Sequence, residues 1–213
     1  MMAPGEARLT RHKQSPLANI MTKAIKRKLM NKKIIIFITL LTLSCGTKKE
    51  FYESGTLKAK GKVANDLKTG MWKQYYECGE IFQIGKYLNG KETGEWKIFH
   101  ENGQLRQIGK FNNGKQTGEW NFYHPNGKRE GIGTLIDGKR NGIWKWYHTN
   151  GSIYTEREWD NERLVKIISC YDGQGNELDK GTFKNGNGTM KVYDIDGNLL
   201  ETYNYKNGKY VKE

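Results

Sequence analysis

The chain has 213 residues, a net charge of +13 and an isoelectric point of about 9.5. The charge is unevenly distributed, because residues 1–44 hold nine Lys or Arg and one acid, which leaves residues 45–213 at only +5. A nearly balanced body excludes a strong nucleic-acid footprint. With 26 Gly, three Pro and 12% aromatic residues, the composition also excludes a disordered chain and favours many short strands joined by tight turns.

Residues 30–45 have the form of a secretory signal. Met30-Asn-Lys-Lys is followed by an apolar run over residues 34–43 and then by Ser44-Cys45. The run is shorter than the roughly 20 residues that a membrane-spanning helix needs. We interpret residues 1–44 as an N-terminal extension and signal peptide, with Met30 (or Met21) as the working start. An ordinary cleaved signal and an uncleaved anchor are the alternatives.

Thr42-Leu43-Ser44-Cys45 resembles the lipobox of bacterial lipoproteins, in which the cysteine takes a lipid and becomes the mature N-terminus. The family usually has Leu where this chain has Thr42. The resemblance implies lipidation (palmitate) at Cys45 and a lipidated tether over residues 45–50. It also implies a membrane-anchored location in the cell envelope, at the outer membrane or the cell surface.

Residues 51–213 repeat a pattern with a period of 24. The Gly-x-Trp motif recurs at Gly70-Met-Trp72, Gly94-Glu-Trp96, Gly118-Glu-Trp120 and Gly142-Ile-Trp144. A Tyr/Phe column and three further columns keep the same step. The repeat-domain prediction therefore covers the whole body of the chain and leaves no room for a second domain.

The turns predict the secondary structure of each repeat. Asn-Gly or Asp-Gly pairs, which favour hairpin turns, occur at Asn89-Gly90, Asn113-Gly114, Asp137-Gly138 and Asn207-Gly208. Aromatic-rich runs of six to eight residues between turns are typical of strands. We expect an all-β, elongated antiparallel meander of tandem β-hairpins, about 65 Å long, that continues to the last residue.

Gly-x-Trp-x-x-Tyr/Phe, a Gly four residues on, and a following Asn-Gly-Lys resemble the MORN repeat, specifically its bacterial variant. The resemblance covers residues 51–213, although Ile168 and Met190 replace Trp and Glu162 replaces a turn Gly in the last copies. Bacterial chains of this variant are often called YwqK-family antitoxins. The resemblance implies a partner-binding role.

The aromatic columns are the candidate contact residues. Alternation along a strand places the Trp column on one face and the Tyr/Phe column on the other. Packing of the repeat core and an accessible binding platform are both open interpretations of these rings. The candidate partner-binding residues are Trp72, Trp96, Trp120, Trp144, Trp146, Tyr75, Phe99, Tyr123 and Tyr147.

The sequence contains no convergent catalytic or metal site that we can identify. His100, His124 and His148 fall in one column, but repeats about 10 Å apart cannot bring three ligands to within about 2 Å of one ion. We therefore expect no enzyme activity, no metal and no cofactor.

The predicted function is a non-catalytic envelope lipoprotein that acts as a protein-binding scaffold. Its partners would be a protein of unknown identity and the membrane, through the lipid on Cys45, with no nucleic acid. The first alternative is an intracellular antitoxin that binds and neutralises a toxin. The second is a glycan- or peptidoglycan-binding module, since sugars stack on exposed aromatic rings.

Overall fold

The computed structural model describes residues 46–212, which form 14 β-strands and contain no helix. The strands are β1 (Gly46–Phe51), β2 (Leu57–Ala64), β3 (Leu67–Tyr75), β4 (Ile81–Leu88), β5 (Lys91–Phe99), β6 (Leu105–Asn112), β7 (Lys115–Tyr123), β8 (Arg129–Ile136), β9 (Lys139–Tyr147), β10 (Ile153–Asp160), β11 (Arg163–Cys170), β12 (Gly188–Tyr193), β13 (Leu199–Lys206) and β14 (Lys209–Val211).

The first 11 strands form one sheet in which every strand pairs with its neighbours in sequence. The order runs from β1 to β11 without a crossover, and all the pairings are antiparallel. This arrangement confirms the predicted all-β meander of tandem hairpins.

Two-residue turns close the hairpins where the sequence predicts them. Asn89 and Gly90 have φ values of +50° and +79°, and Asn207 and Gly208 repeat this geometry at +51° and +73°. Left-handed φ values at both central residues are typical of the hairpin turn whose twist matches that of the flanking strands. Asn and Gly occupy these positions because they tolerate that conformation better than other residues.

The last three strands correct the prediction of one continuous ribbon. β12, β13 and β14 form a separate three-stranded sheet, and the segment between Tyr171 and Asn187 contains only isolated bridges. Met190 of β12 is 3% exposed and belongs to the same core cluster as Trp159 and Leu164. The second sheet folds back because it buries apolar surface that a linear continuation would leave in water.

The core lies along the Trp side of the main sheet in two clusters. One is built on Ala59, Trp72, Tyr87 and Trp96. The other contains Trp120, Leu135, Trp144, Trp159, Leu164 and Met190, with Tyr203 and Tyr205 of the second sheet packed against it. The second sheet therefore covers the β11 end of the Trp side.

Candidate binding surfaces

The Trp column is buried although most of the main sheet has no second layer over it. Trp72, Trp96, Trp120 and Trp144 are 0, 2, 0 and 2% exposed, respectively. This burial agrees with the interpretation that the four rings pack the core of the repeats. A partner cannot reach the four rings in this structure, which corrects their place among the candidate contact residues.

Glycine on the neighbouring strand makes this burial possible. Gly61 is the register partner of Trp72, and a Cβ placed on it would lie 2.3 Å from the indole ring. A Cβ placed on Gly109 would likewise lie 2.2 Å from the Trp120 ring. Each indole thus lies flat on bare backbone, where no other side chain fits.

Aromatic residues from the intervening strands pack against the edges of the indole rings. Ring centroids are 6.1 Å apart for Trp72 and Tyr87, 5.1 Å for Tyr87 and Trp96, 5.6 Å for Trp96 and Phe111, and 5.4 Å for Phe111 and Trp120. All four contacts are edge-to-face, an arrangement that the ring quadrupoles favour. This continuous series excludes water from the row without a covering layer.

Trp146 differs from the four Trp residues of the column. It is half-buried and stacks on Trp144, with ring centroids 5.6 Å apart and planes 27° apart. It packs against the second core cluster together with Phe122. Trp146 therefore lies on the same side of the sheet as Trp144.

The opposite side of the main sheet carries the Tyr/Phe column, in which Tyr75, Phe99, Tyr123 and Tyr147 are all half-buried. Lys60 shares this side, since its Nζ lies 5.6 Å from the centroid of the Tyr75 ring.

A row of lysines and isoleucines runs beside these rings. Cross-strand pairing links Lys73, Ile84, Lys97, Ile108, Asn121, Ile132 and Lys145 in order. The three lysines are exposed and the three isoleucines are half-buried. Glu95 lies 3.4 Å from Lys97, and Glu156 lies 2.8 Å from Lys145, so the row is partly neutralised. This row and the Tyr/Phe column together make up what we call the Tyr/Phe face.

The histidine column forms a ladder of hydrogen bonds between repeats. His100 Nε2 is 2.8 Å from the Tyr123 carbonyl oxygen, His124 Nε2 is 3.0 Å from that of Tyr147, and His148 Nε2 is 2.9 Å from that of Tyr171. Tyrosines make the equivalent hydrogen bonds in earlier repeats. The Tyr52 hydroxyl donates to the Tyr75 carbonyl, and the Tyr76 hydroxyl donates to the Phe99 carbonyl, both at 2.7 Å.

The histidine ladder therefore has a structural role. Each side chain binds backbone 23 residues further along the chain and ties neighbouring hairpins together. In the part of the chain that the structure describes, no group of three His, Cys, Asp or Glu residues is placed to hold a metal ion.

The Asn161-Glu162 turn, like Asn65-Asp66, lacks the usual glycine, and it gains an ion pair. Glu162 has a φ of +70°, where the three preceding repeats have glycine, and left-handed φ costs an ordinary residue about 1 kcal/mol. Its carboxylate accepts hydrogen bonds from the Arg140 backbone N–H at 2.8 Å and from the Arg140 Nε at 2.9 Å. Burial opposes ionisation of Glu162, but hydrogen bonds and charge from Arg140 outweigh it and lower the pKa. The Glu162 substitution is visible in the sequence, but its Arg140 partner is not.

The lipidation prediction at Cys45 lies outside the described residues, as do the signal peptide and the start at Met30. Over residues 46–212 the structure has no helix with the length and apolarity to cross a bilayer.

The fold and its surfaces define a repeat module of tandem hairpins. Comparison with known families matches the MORN repeat variant at residues 44–65, 92–113, 116–137, 140–161 and 186–207, more than half of the chain. The protein belongs to this family, whose repeats are generally non-catalytic binding modules. Comparison with curated proteins finds no match.

Proposed function

We propose that the protein is an envelope lipoprotein that acts as a protein-binding scaffold through its Tyr/Phe face. The observation that carries this proposal is the contrast between the two sides of the main sheet. The Trp row is 0–2% exposed, whereas the Tyr/Phe face presents half-buried rings and isoleucines beside exposed lysines.

The composition of the Tyr/Phe face suits a protein partner. Tyrosine and other aromatic residues are enriched where partners dock, because they bury much area at little cost in conformational entropy. The exposed lysines beside the rings favour a partner with acidic groups in its contact patch. The sugar-binding alternative loses support from the burial of the Trp column, since stacking needs an open ring face.

The proposed anchor would place the β1 end of the sheet at the membrane. Gly46 opens β1, so only one peptide bond separates the first strand from Cys45. Residues 46–50 of the predicted tether belong to β1, so a lipid on Cys45 would hold the first hairpin next to the bilayer.

Cross-linking in cells tests the proposed face. A photoactivatable phenylalanine analogue at Lys97, in the centre of the Tyr/Phe face, should give one discrete protein adduct. The same analogue at Gln174, on an exposed loop, should give none. Equal labelling at both positions, or none at Lys97, would contradict binding through this face.

Labelling with palmitate tests the anchor and separates the alternatives. The native chain should take the label and sediment with membranes, and Cys45→Ala should do neither. An unlabelled, cytoplasmic native chain would favour the intracellular antitoxin. A carbohydrate adduct at Lys97 in place of a protein would favour the glycan-binding alternative.

A further inference from the structure

A cleft of about 430 Å³ lies where two hairpin turns meet, one from each sheet. The first turn is Asn161-Glu162, between β10 and β11, and the second is Asn207-Gly208, between β13 and β14. The Gly208 carbonyl accepts a hydrogen bond of 2.8 Å from the Leu164 N–H, which fixes the two turns to each other.

The charge balance of this cleft is positive. Lys139, Arg140, Arg163 and Lys209 line it, with Glu162 as the single acid. Glu162 is already held by Arg140, through the backbone N–H and the guanidinium. Over residues 46–212, neither Lys139, Arg163 nor Lys209 has a carboxylate within ion-pair distance. Three cations therefore remain for an external anion.

Aromatic rings form the wall of the cleft. The Arg140 guanidinium carbon lies 3.6 Å from the centroid of the Trp159 ring, which fixes the arginine in place. Tyr205 and Tyr210 stand on the second sheet with centroids 6.3 Å apart. Tyr210 is 51% exposed, so an incoming chain can pack against its ring.

The edge of the second sheet adjoins the cleft. Lys209 and Tyr210 belong both to the lining and to β14. β14 pairs with β13 on one side, and no strand within residues 46–212 pairs with its other side. An exposed strand edge offers N–H and C=O groups to an extended peptide.

We propose that this cleft and the β14 edge bind an extended acidic segment of a protein partner. Carboxylates of the segment would meet Lys139, Arg163 and Lys209, while its backbone runs beside β14. The cleft lies on the Trp side of the sheet, so this site is separate from the Tyr/Phe face and goes beyond the function proposed above. Cross-linking at Lys97 and peptide binding at the cleft can fail independently.

Fluorescence anisotropy with the full chain and labelled hexaglutamate tests the proposal. Arg163→Gln with Lys209→Gln should weaken saturable binding about 10-fold, because two of the three unpaired cations are lost. The matched control, Lys86→Gln with Lys110→Gln, removes the same charge from strands far from the cleft and should change the affinity less than about 2-fold. Labelled hexaglutamine should not bind. A thermal melt should show that both variants remain folded.

Four results would overturn the proposal. Hexaglutamate that fails to saturate, or that binds the cleft variant and the native chain equally, would show that the cations do not form a site. Equal binding of trigalacturonate, with the same loss in the cleft variant, would assign the cleft to acidic sugars. Two hexaglutamate peptides, each N-methylated at a different alternate set of backbone nitrogens, test pairing with β14, because a methylated nitrogen cannot donate a hydrogen bond. If both bind as tightly as the unmodified peptide, pairing with β14 is excluded.

Discussion

The backbone of Gly109 lies directly beneath the indole ring of Trp120. A Cβ at Gly109 would fall 2.2 Å from Trp120 Cδ2, far inside van der Waals contact. The same relationship joins Gly85 to Trp96 and Gly133 to Trp144. The repeated glycine and the repeated tryptophan thus form one packing unit, so that a side chain at the glycine would displace the indole.

Adding one methyl group at this contact should destabilise the sheet. Gly109→Ala is expected to lower the free energy of unfolding by about 1–3 kcal/mol or more, because the indole must leave its position. Gly46→Ala is the control, since a Cβ there meets no atom within 4 Å. Urea denaturation followed by Trp fluorescence measures both, and equal stability of the two variants would rule out the flat packing of Trp120.

The hydrogen-bond ladder predicts that tyrosine can replace histidine at position 124 with little loss of stability. His124→Phe should cost about 1 kcal/mol, because the Tyr147 carbonyl loses its partner. His124→Tyr should restore most of that loss, since Tyr76 makes the equivalent bond at the same repeat position. Chemical denaturation of the three proteins measures the series. Tyr and Phe variants of equal stability would show that the ladder contributes nothing.

The packing of the second sheet against the main sheet should depend on Met190. Met190→Ala removes a side chain that is 3% exposed, and such truncations cost about 2–5 kcal/mol. Hydrogen exchange should rise in β12–β14 and in β10–β11, while β3–β5 keep their protection. Leu200→Ala is the control, because Leu200 lies in the same sheet and is 65% exposed. Uniform exchange changes along the whole chain would contradict local packing of the second sheet.

Protonation of Asp172 at acid pH should destabilise the loop that follows β11. Its carboxylate accepts hydrogen bonds from the Asn176 side chain at 2.8 Å and from the Asn176 and Gln174 backbone N–H groups, and these bonds lower its pKa. A lowered folded-state pKa means stability that is present above the unfolded value of about 3.9 and is lost as pH falls through the folded value.

Denaturation midpoints between about pH 5 and pH 2.5 measure this contribution. Asp172→Asn should be less stable than the native chain at pH 5 and should lose less on acidification. A native-like acid slope in the variant would show that Asp172 is not one of the groups responsible.

The hairpins of the main sheet could be predicted because their determinants are local. Each Asn-Gly turn and each Gly–Trp pair lies within one or two repeats, so the period of 24 fixes the register from strand to strand. The alternation of Trp72 and Tyr75 between opposite faces follows from the same spacing.

The return of the second sheet could not be predicted in this way. It depends on contacts between Met190 and residues such as Trp159, some 30 positions earlier, and on where the repeat pattern weakens. The burial of the Trp column could not be decided from the sequence either. Its cover comes from Tyr87 and Phe111 on intervening strands, and their ring geometry is not visible in the repeat spacing.

Hydroxyl-radical footprinting of the native envelope fraction, compared with the purified full chain, tests the central claim most directly. In the purified protein, Tyr75, Phe99, Tyr123 and Tyr147 should be oxidised faster than Trp96 and Trp120. In the envelope the Tyr/Phe rates should fall, because a partner covers that face, and the Trp rates should stay low. Unchanged Tyr/Phe rates, or Trp rates that drop on going to the envelope, would contradict a scaffold that binds through its Tyr/Phe face.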